Sequence, residues 1–214
     1  MTMTTMTIRL ARDDDAPAIA AIYAPYVSET PISFETTPPS VDEMAGRLAK
    51  TLARFPWLVA EVAGETDGDM AGYAYASAHR ERAAYQWAAD VSVYLRPDER
   101  GRGIGRALYT ALFAIMRAQG YVNVYAGIAL PNPASVALHE AMGMTPVGVY
   151  RQVGYKAGAW HDVGWWQGAL CEPADEPEPP RALADVAPVA TWNRWLRSGE
   201  APPWMALQST RSRT

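Results

Sequence analysis

A short strand that runs into a glycine-rich loop and then into a helix constrains this chain more than any other segment. Residues 93–95 have the pattern of an apolar strand, and glycine recurs at 101, 103 and 105 before a helical pattern begins. Glycines let backbone N–H groups converge on an anion, and the next helix adds the positive end of its dipole. Charge can come from four arginines, Arg96, Arg100, Arg102 and Arg106. The segment predicts a phosphate-binding loop.

Spacing excludes two common phosphate loops. A P-loop needs Lys-Ser or Lys-Thr after its last glycine, and here Arg106 and Ala107 follow instead. A dinucleotide fingerprint needs a third glycine three positions after the second, whereas these glycines alternate. ATPases, GTPases and Rossmann dehydrogenases are therefore disfavoured. For the segment on its own, a surface turn with solvated arginines remains the alternative.

Periodicity on both sides of the loop predicts alternating strands and helices, an α/β (α+β) arrangement. Ser40 and Glu43 form the pattern of a capping box at one helix start. Gly120 is placed to end the helix after the loop, whose apolar stripe is Leu108, Leu112, Ile115 and Met116. Strands are expected at residues 7–11, 57–62, 70–78, 87–95, 122–128, 147–153 and 163–170, with a hairpin turn at 64–69. Further helices are expected after residue 15 and at 134–142.

Composition removes several functional classes. The 214 residues are 49% apolar, which suffices for one domain with a short appendage. A net charge of -4 and a pI near 5.4 disfavour nucleic acid as a partner. The single cysteine, Cys171, allows no intramolecular disulfide and favours a reducing compartment. Residues 1–7 lack a signal-peptide pattern and residues 107–116 are too short to span a bilayer, so we expect a cytoplasmic protein with no membrane contact.

The composition changes abruptly after Cys171. Residues 172–180 are mostly Pro, Glu and Asp, which predicts a linker. Helical spacing would place Trp192, Trp195 and Leu196 on one face of a short helix, docked on the domain or on a partner. We therefore expect a compact domain at residues 7–170 and a linker with a short tail at 171–214. A chain that ends near Cys171 is expected to fold.

The loop Arg100-Gly101-Arg102-Gly103-Ile104-Gly105 resembles the RxxGxG pyrophosphate loop of the GNAT N-acetyltransferases. More motifs follow in the same order as in the phosphinothricin and methionine sulfoximine acetyltransferase branch of that family. They are Ser33-Phe34-Glu35, Arg82-Ala83-Ala84-Tyr85-Gln86-Trp87, Ser92-Val93-Tyr94, Leu130-Pro131-Asn132-Pro133-Ala134-Ser135, Leu138-His139-Glu140, Gly154-Tyr155-Lys156 and Trp160-His161-Asp162-Val163-Gly164. The resemblance covers residues 7–170 and leaves out the tail.

This resemblance implies the GNAT fold, a mixed, mostly antiparallel central sheet with a splayed strand pair, flanked by helices. It implies acetyl-CoA as the cosubstrate, with the pantetheine arm in the gap between the strands near residues 93–95 and 125–128. The acetyl-CoA-binding residues that it implies are Val93, Tyr94, Leu95, Arg100, Gly101, Arg102, Gly103, Ile104, Gly105, Arg106, Asn132 and Ser135. From local sequence alone, Asn132 is equally a turn residue and Ser135 a hydroxyl at a helix start.

The resemblance also implies catalytic and acceptor residues. Amide formation needs a neutral amine, a stabilised oxyanion and a proton for the departing thiolate. Asp90 lies where relatives usually carry a glutamate base, and His139 lies where this branch has a histidine. Backbone N–H groups beside Tyr94 are the expected oxyanion donors. The acceptor would contact Phe34, Arg82 and Tyr85, although core packing of Phe34, solvation of Arg82 and simple packing of His139 are the structural alternatives.

The function implied is acetyl transfer from acetyl-CoA to the α-amino group of a small amino acid, or of a phosphinothricin, methionine sulfoximine or methionine sulfone analogue. Two alternatives remain open, acetylation of protein N-termini or other amines and a non-catalytic acyl-CoA-binding module. Three scattered histidines and one cysteine show no metal-ligand spacing, so no metal is expected. The family tendency points to a homodimer.

Overall fold

The computed structural model describes residues 6–62 and 69–198 and contains one seven-stranded sheet. The strands lie in the order β1-β2-β3-β4-β5-β7-β6. Their bounds are β1 (Met6–Leu10), β2 (Trp57–Val62), β3 (Asp69–Ala78), β4 (Ala88–Leu95), β5 (Asn123–Leu130), β6 (Thr145–Lys156) and β7 (Ala159–Ala169). The strands β2 and β3 pair antiparallel as expected, while residues 64–68 of the predicted turn lie outside the described residues.

Helices cover both faces of the sheet. They are α1 (Ala16–Ser28), α2 (Val41–Leu52), α3 (Ile104–Gln119), α4 (Pro133–Ala141), α5 (Leu183–Val186) and α6 (Val189–Ser198). The capping box is confirmed, because Ser40 Oγ accepts from the Glu43 N–H and Glu43 Oε2 accepts from the Ser40 N–H. Gly120 ends α3 in the left-handed conformation, with φ of 97°. No helix of the described part is long and apolar enough to cross a bilayer.

Two apolar clusters form on opposite faces of the sheet. The helices α1 and α2 pack on one face through residues such as Ile19, Val27 and Leu48. On the other face, the predicted stripe of α3 is confirmed, since Leu108, Leu112, Ile115 and Met116 are all buried against the sheet. The mixed, mostly antiparallel sheet with helices on both faces confirms the fold class expected from the sequence.

One strand pair separates after three residues. Strands β4 and β5 form the only parallel pair among the described strands, and they pair from Ala88 with Asn123 to Asp90 with Tyr125. Beyond Asp90, β4 continues to Leu95 while β5 continues to Leu130 without pairing to it. The Arg96 N–H donates to Ala71 O, so strand alternation turns the backbone groups of Val91 and Val93 away from β3. The N–H of Val91 still pairs with Tyr125 of β5, and the C=O of Val91 and both groups of Val93 face the gap. The expected splay is therefore present.

Strands β6 and β7 are longer than the sequence pattern suggests. They form a hairpin at one edge of the sheet, with positive φ at Ala157 and Gly158 in its turn. Much of β6 is exposed, including large apolar side chains, and this hides its period-2 pattern from sequence analysis. The exposed apolar residues of this hairpin, hereafter the hairpin patch, are Val147, Val149, Tyr150, Val153, Tyr155 and Trp160.

The C-terminal segment packs on its own domain as far as residue 198. Residues 172–180 contain no helix or strand, yet Trp87 Nε1 donates to Glu178 O and the Arg181 N–H donates to Gln119 O. Trp192 is completely buried in the apolar cluster beneath α3, and Asn193 Oδ1 accepts from the Leu10 N–H of β1. That a chain ending near Cys171 folds stays a prediction, and such a chain would lose the burial of Trp192.

Candidate functional site

The glycine loop is held by a buried carboxylate. Glu99 is only 5% exposed and accepts from Arg102 Nη1 at 2.6 Å and from Arg96 Nη2 at 3.3 Å. Gly101 and Gly103 have φ of 75° and 81°, a region that only glycine enters without strain. Gly103 is the N-cap of α3, so the loop leads directly into the first turn of a 16-residue helix. The free N–H groups and dipole of that turn favour an anion.

A pocket of about 380 Å³ opens in front of this loop. Ten of the twelve predicted acetyl-CoA-binding residues line it, namely Val93, Leu95, Arg100, Gly101, Gly103, Ile104, Gly105, Arg106, Asn132 and Ser135. Arg100 and Arg106 supply the positive charge, since Arg102 is turned towards Glu99. A Cβ on Gly105 would come within 3.1 Å of Cδ2 of Leu138, so the close approach of α3 to α4 favours a small residue there.

A second, smaller pocket of about 60 Å³ lies in the gap between β4 and β5. It shares Val93, Asn132 and Ser135 with the larger pocket, so the glycine loop and the splay form one continuous path. Asn132 Oδ1 accepts from the Ser135 N–H at 3.2 Å, which caps α4 and places both residues at the junction. Tyr94 lines only the smaller pocket, and Arg102 lines neither.

His139 lines the smaller pocket and is 3% exposed. Its Nδ1–H donates to Ser135 O at 2.7 Å, because a carbonyl oxygen can only accept. Its Nε2 therefore accepts from the Tyr109 hydroxyl at 3.0 Å. Burial lowers the pKa of His139 and raises the pKa of Tyr109, so both groups are neutral at pH 7. Tyr109 also lines the gap, and nothing in the sequence pattern of α3 singles it out.

Asp90 is the last residue of β4 that pairs with β5, and it lies at the closed end of the splay. Its Oδ1 is 2.6 Å from Nδ1 of His79, a residue to which the sequence analysis gives no role. Burial raises the pKa of Asp90, and the hydrogen bond and charge of His79 partly oppose that rise. His79 stacks on Tyr125 with ring centroids 4.4 Å apart. The Asp90 carboxylate is therefore held by a hydrogen bond to a packed imidazole, that of His79.

The three residues predicted to contact the acceptor do not lie together in one pocket of the chain. Phe34 lies directly over Gly154 of β6, 6.3 Å from the ring of His161. Tyr85 lies edge-on to the imidazole of His79, with ring centroids 6.0 Å apart. Arg82 is exposed, and its side chain has no hydrogen bond or ion pair within the described ranges. None of the three lines the 380 Å³ or the 60 Å³ pocket.

Metal ligation has no support in this geometry. Within residues 6–62 and 69–198, no group of three or more His, Cys, Asp or Glu side chains is arranged to hold an ion.

Comparison with known proteins identifies the family of this chain. Residues 8–165 match the Acetyltransferase (GNAT) domain family. The chain belongs to the GNAT acetyltransferase family. The family and branch that the sequence motifs imply are thus confirmed.

This GNAT chain is similar to several characterised relatives. It is 41% identical over 182 residues to phosphinothricin N-acetyltransferase of Streptomyces viridochromogenes, covering 85% of this chain and 95% of the relative. It is 39% identical over 165 residues to the L-methionine sulfoximine/L-methionine sulfone acetyltransferase of Pseudomonas aeruginosa, covering 75% and 92%. A crystal structure of Sinorhizobium meliloti phosphinothricin acetyltransferase with AcCoA superposes with a TM-score of 0.75 at 36% identity, covering 84% of this chain and 98% of that chain.

Proposed function

We propose that this GNAT enzyme transfers the acetyl group of acetyl-CoA to the α-amino group of a small amino acid, or of an analogue of the phosphinothricin or methionine sulfoximine type. The observation that carries the proposal is the continuous path from the glycine loop into the splay of β4 and β5, which ends near two proton-transferring groups. Relatives whose names specify these analogues support the substrate class.

The larger pocket fits the pyrophosphate of acetyl-CoA. Left-handed Gly101 and Gly103 carry no side chain into the loop, so backbone N–H groups can contact phosphate oxygens directly. Arg100 and Arg106 add charge-assisted contacts. The C=O of Val91 and the N–H and C=O of Val93 face the gap without a strand partner, and they can bind the amides of the pantetheine arm as a neighbouring strand would.

Acetyl transfer then needs a base for the amine, donors for the oxyanion and a proton for the departing sulfur. Asp90 accepts a proton from the amine through one water, since the raised pKa of its carboxyl makes it a stronger base than an exposed aspartate. Backbone N–H groups of β4 stabilise the oxyanion. The N–H of Val93 is suited to this, because the N–H of Tyr94 lies on the side of β4 that pairs with β3 and the N–H of Val91 pairs with Tyr125 of β5. The hydrogen-bonded pair of Tyr109 and His139 supplies a proton to the departing sulfur.

The acceptor would be held by its acidic end. Arg82 is an unpaired cation on the described surface and can form a bidentate contact with a carboxylate or phosphinate. Tyr85 lies beside the His79 and Asp90 pair and can contact the short side chain of the acceptor. Phe34 lies apart from these residues, against the β6 and β7 hairpin, and would line the far side of the acceptor site.

We further propose a homodimer formed through the hairpin patch. Tyr155 and Trp160 are each 61% exposed there, and an apolar surface of this kind is typical of an interface between copies. The single cysteine is consistent with a reducing, cytoplasmic location, and the acidic net charge disfavours nucleic acid.

A thiol-release assay tests the function directly. Purified protein and acetyl-CoA are mixed with proteinogenic amino acids, methionine sulfone, methionine sulfoximine, phosphinothricin and short peptides with free N-termini. We expect turnover on at least one α-amino acid or analogue and little on peptides. Preference for peptides would support N-terminal acetylation, whereas tight acetyl-CoA binding without turnover on any amine would support a binding module. An Asp90→Asn protein serves as the matched control for background hydrolysis.

A further inference from the structure

His79 lies on the same face of the sheet as Asp90 and diagonally across from it. Ser77 of β3 is the direct partner of Asp90, and His79 follows Ser77 by two positions, so both side chains project to one side. The 2.6 Å contact between His79 Nδ1 and Asp90 Oδ1 is the shortest kind of charge-assisted hydrogen bond. Because an ionised carboxylate only accepts, the proton of this bond belongs to Nδ1.

The imidazole has little freedom to leave this position. It stacks on Tyr125, the β5 partner of Asp90, with an interplanar angle of 18°. Trp165 and Tyr85 lie edge-on to it, each with ring centroids 6.0 Å away. The His79 side chain is 12% exposed and that of Asp90 is 27% exposed, so the pair is shielded but still reachable by a small acceptor. A ring packed on three sides holds its partner in one geometry.

We infer that His79 is a positioning residue for the reaction, and that His79 and Asp90 together do the work that a single longer carboxylate does in relatives. This inference rests on the proposed function. An aspartate is one methylene shorter than the glutamate that the sequence resemblance implies at this position. The His79 N–H fixes Oδ1 of Asp90, which leaves Oδ2 available to accept the proton of the amine. During attack the amine nitrogen loses its proton, and Oδ2 receives it through one water and later returns it to solvent.

The surroundings of the pair decide how its charge responds to pH. Arg80 follows His79 and its guanidinium lies over Trp165, where its positive charge favours the ionised form of Asp90. The other titratable neighbours are Tyr75, Tyr85 and Tyr125, and burial raises the pKa of Tyr75. Removing the His79 donor therefore removes a favourable contact from a carboxylate whose burial already raises its pKa.

Two His79 variants separate the hydrogen bond from the packing. His79→Phe keeps a stacked ring and removes the donor, whereas His79→Asn restores a donor near the Nδ1 position and cannot titrate. With the best acceptor, we expect His79→Phe to lower kcat about tenfold and to move its acidic limb to higher pH. We expect KM for acetyl-CoA to stay within about twofold and His79→Asn to recover most of kcat. Thermal unfolding confirms that each variant is folded.

A double-mutant cycle tests whether the two residues act together. In the Asp90→Asn background, His79→Phe should have no further effect on kcat, because the group that it positions is already lost. Additive losses, or an unchanged acidic limb in His79→Phe, would overturn the inference. Loss of the limb in His79→Phe with its retention in Asp90→Asn would also overturn it, by making His79 itself the base.

Carboxyl carbon NMR of aspartate-labelled protein gives a readout that needs no turnover. We expect Asp90 to titrate at higher pH in His79→Phe than in the unmodified protein, and near the unmodified value in His79→Asn. Identical Asp90 titrations in all three proteins would refute the pairing even in an active enzyme. An NMR shift in a protein that acetylates no amine would instead refute the proposed function and, with it, the catalytic role of the pair.

Discussion

Replacement of Trp192 by alanine tests whether the C-terminal helix belongs to the folding unit. The Trp192 side chain is completely buried among apolar residues, in the same cluster as α3. A buried tryptophan removes about 150–250 Å² from water, which at about 25 cal/mol per Å² corresponds to about 4–6 kcal/mol. Measured Trp→Ala losses of about 3–5 kcal/mol agree with this range. We therefore expect Trp192→Ala to lower the free energy of unfolding by about 3–5 kcal/mol.

Thermal unfolding followed by circular dichroism measures this loss. For a chain of about 150–250 residues, each kcal/mol shifts Tm by about 2–4 °C, so Tm should fall by about 6–20 °C. Arg194→Ala is the matched control, because Arg194 is exposed on the same helix and alanine favours helix formation. Removal of all residues after Cys171 should destabilise the protein at least as much. If Trp192→Ala and Arg194→Ala had the same Tm, the helix would not contribute to the core.

Four further outcomes follow from the site and the hairpin patch. Gly103→Val should weaken acetyl-CoA binding at least about tenfold by calorimetry, because φ of 81° strains a β-branched residue and its side chain enters the loop. Arg82→Ala should raise KM for the amino acid about tenfold and leave KM for acetyl-CoA unchanged. Burial lowers the pKa of His139, so loss of kcat through its protonation should begin only below the usual histidine value of about 6.5, and His139→Ala should lack that step. Trp160→Glu should convert a dimer into a monomer in light scattering at the column outlet, and an unchanged mass would remove the hairpin patch from the interface.

The sequence predicts those parts of the site that depend on local rules. Gly101 and Gly103 mark the loop because the backbone there needs positive φ, and the capping box of Ser40 marks a helix start. The stripe on α3 follows from helical spacing and proves to be buried. Motif order then supplies the family, which periodicity alone could not do.

Contacts between segments that are distant in sequence could not be predicted from local patterns. His79 contacts Asp90 only because β3 and β4 pair in one particular register. That register could not be predicted from the residue pattern of the two strands. Tyr109 meets His139 through the packing of two helices that are separate in sequence. The Pro and acidic composition of residues 172–180 correctly predicts an irregular segment, yet it conceals the burial of Trp192 beyond it.

The splay between β4 and β5 has a consequence for how mutations affect this enzyme. The gap presents the C=O of Val91 and the N–H and C=O of Val93, and every residue except proline carries the same main-chain donor and acceptor. Substitution of either valine by another strand-forming residue changes the packing behind the sheet but leaves those polar groups in place. Binding through main-chain groups therefore tolerates most side-chain substitutions at these positions. Proline at position 93 is the exception, because it deletes the N–H donor that faces the gap.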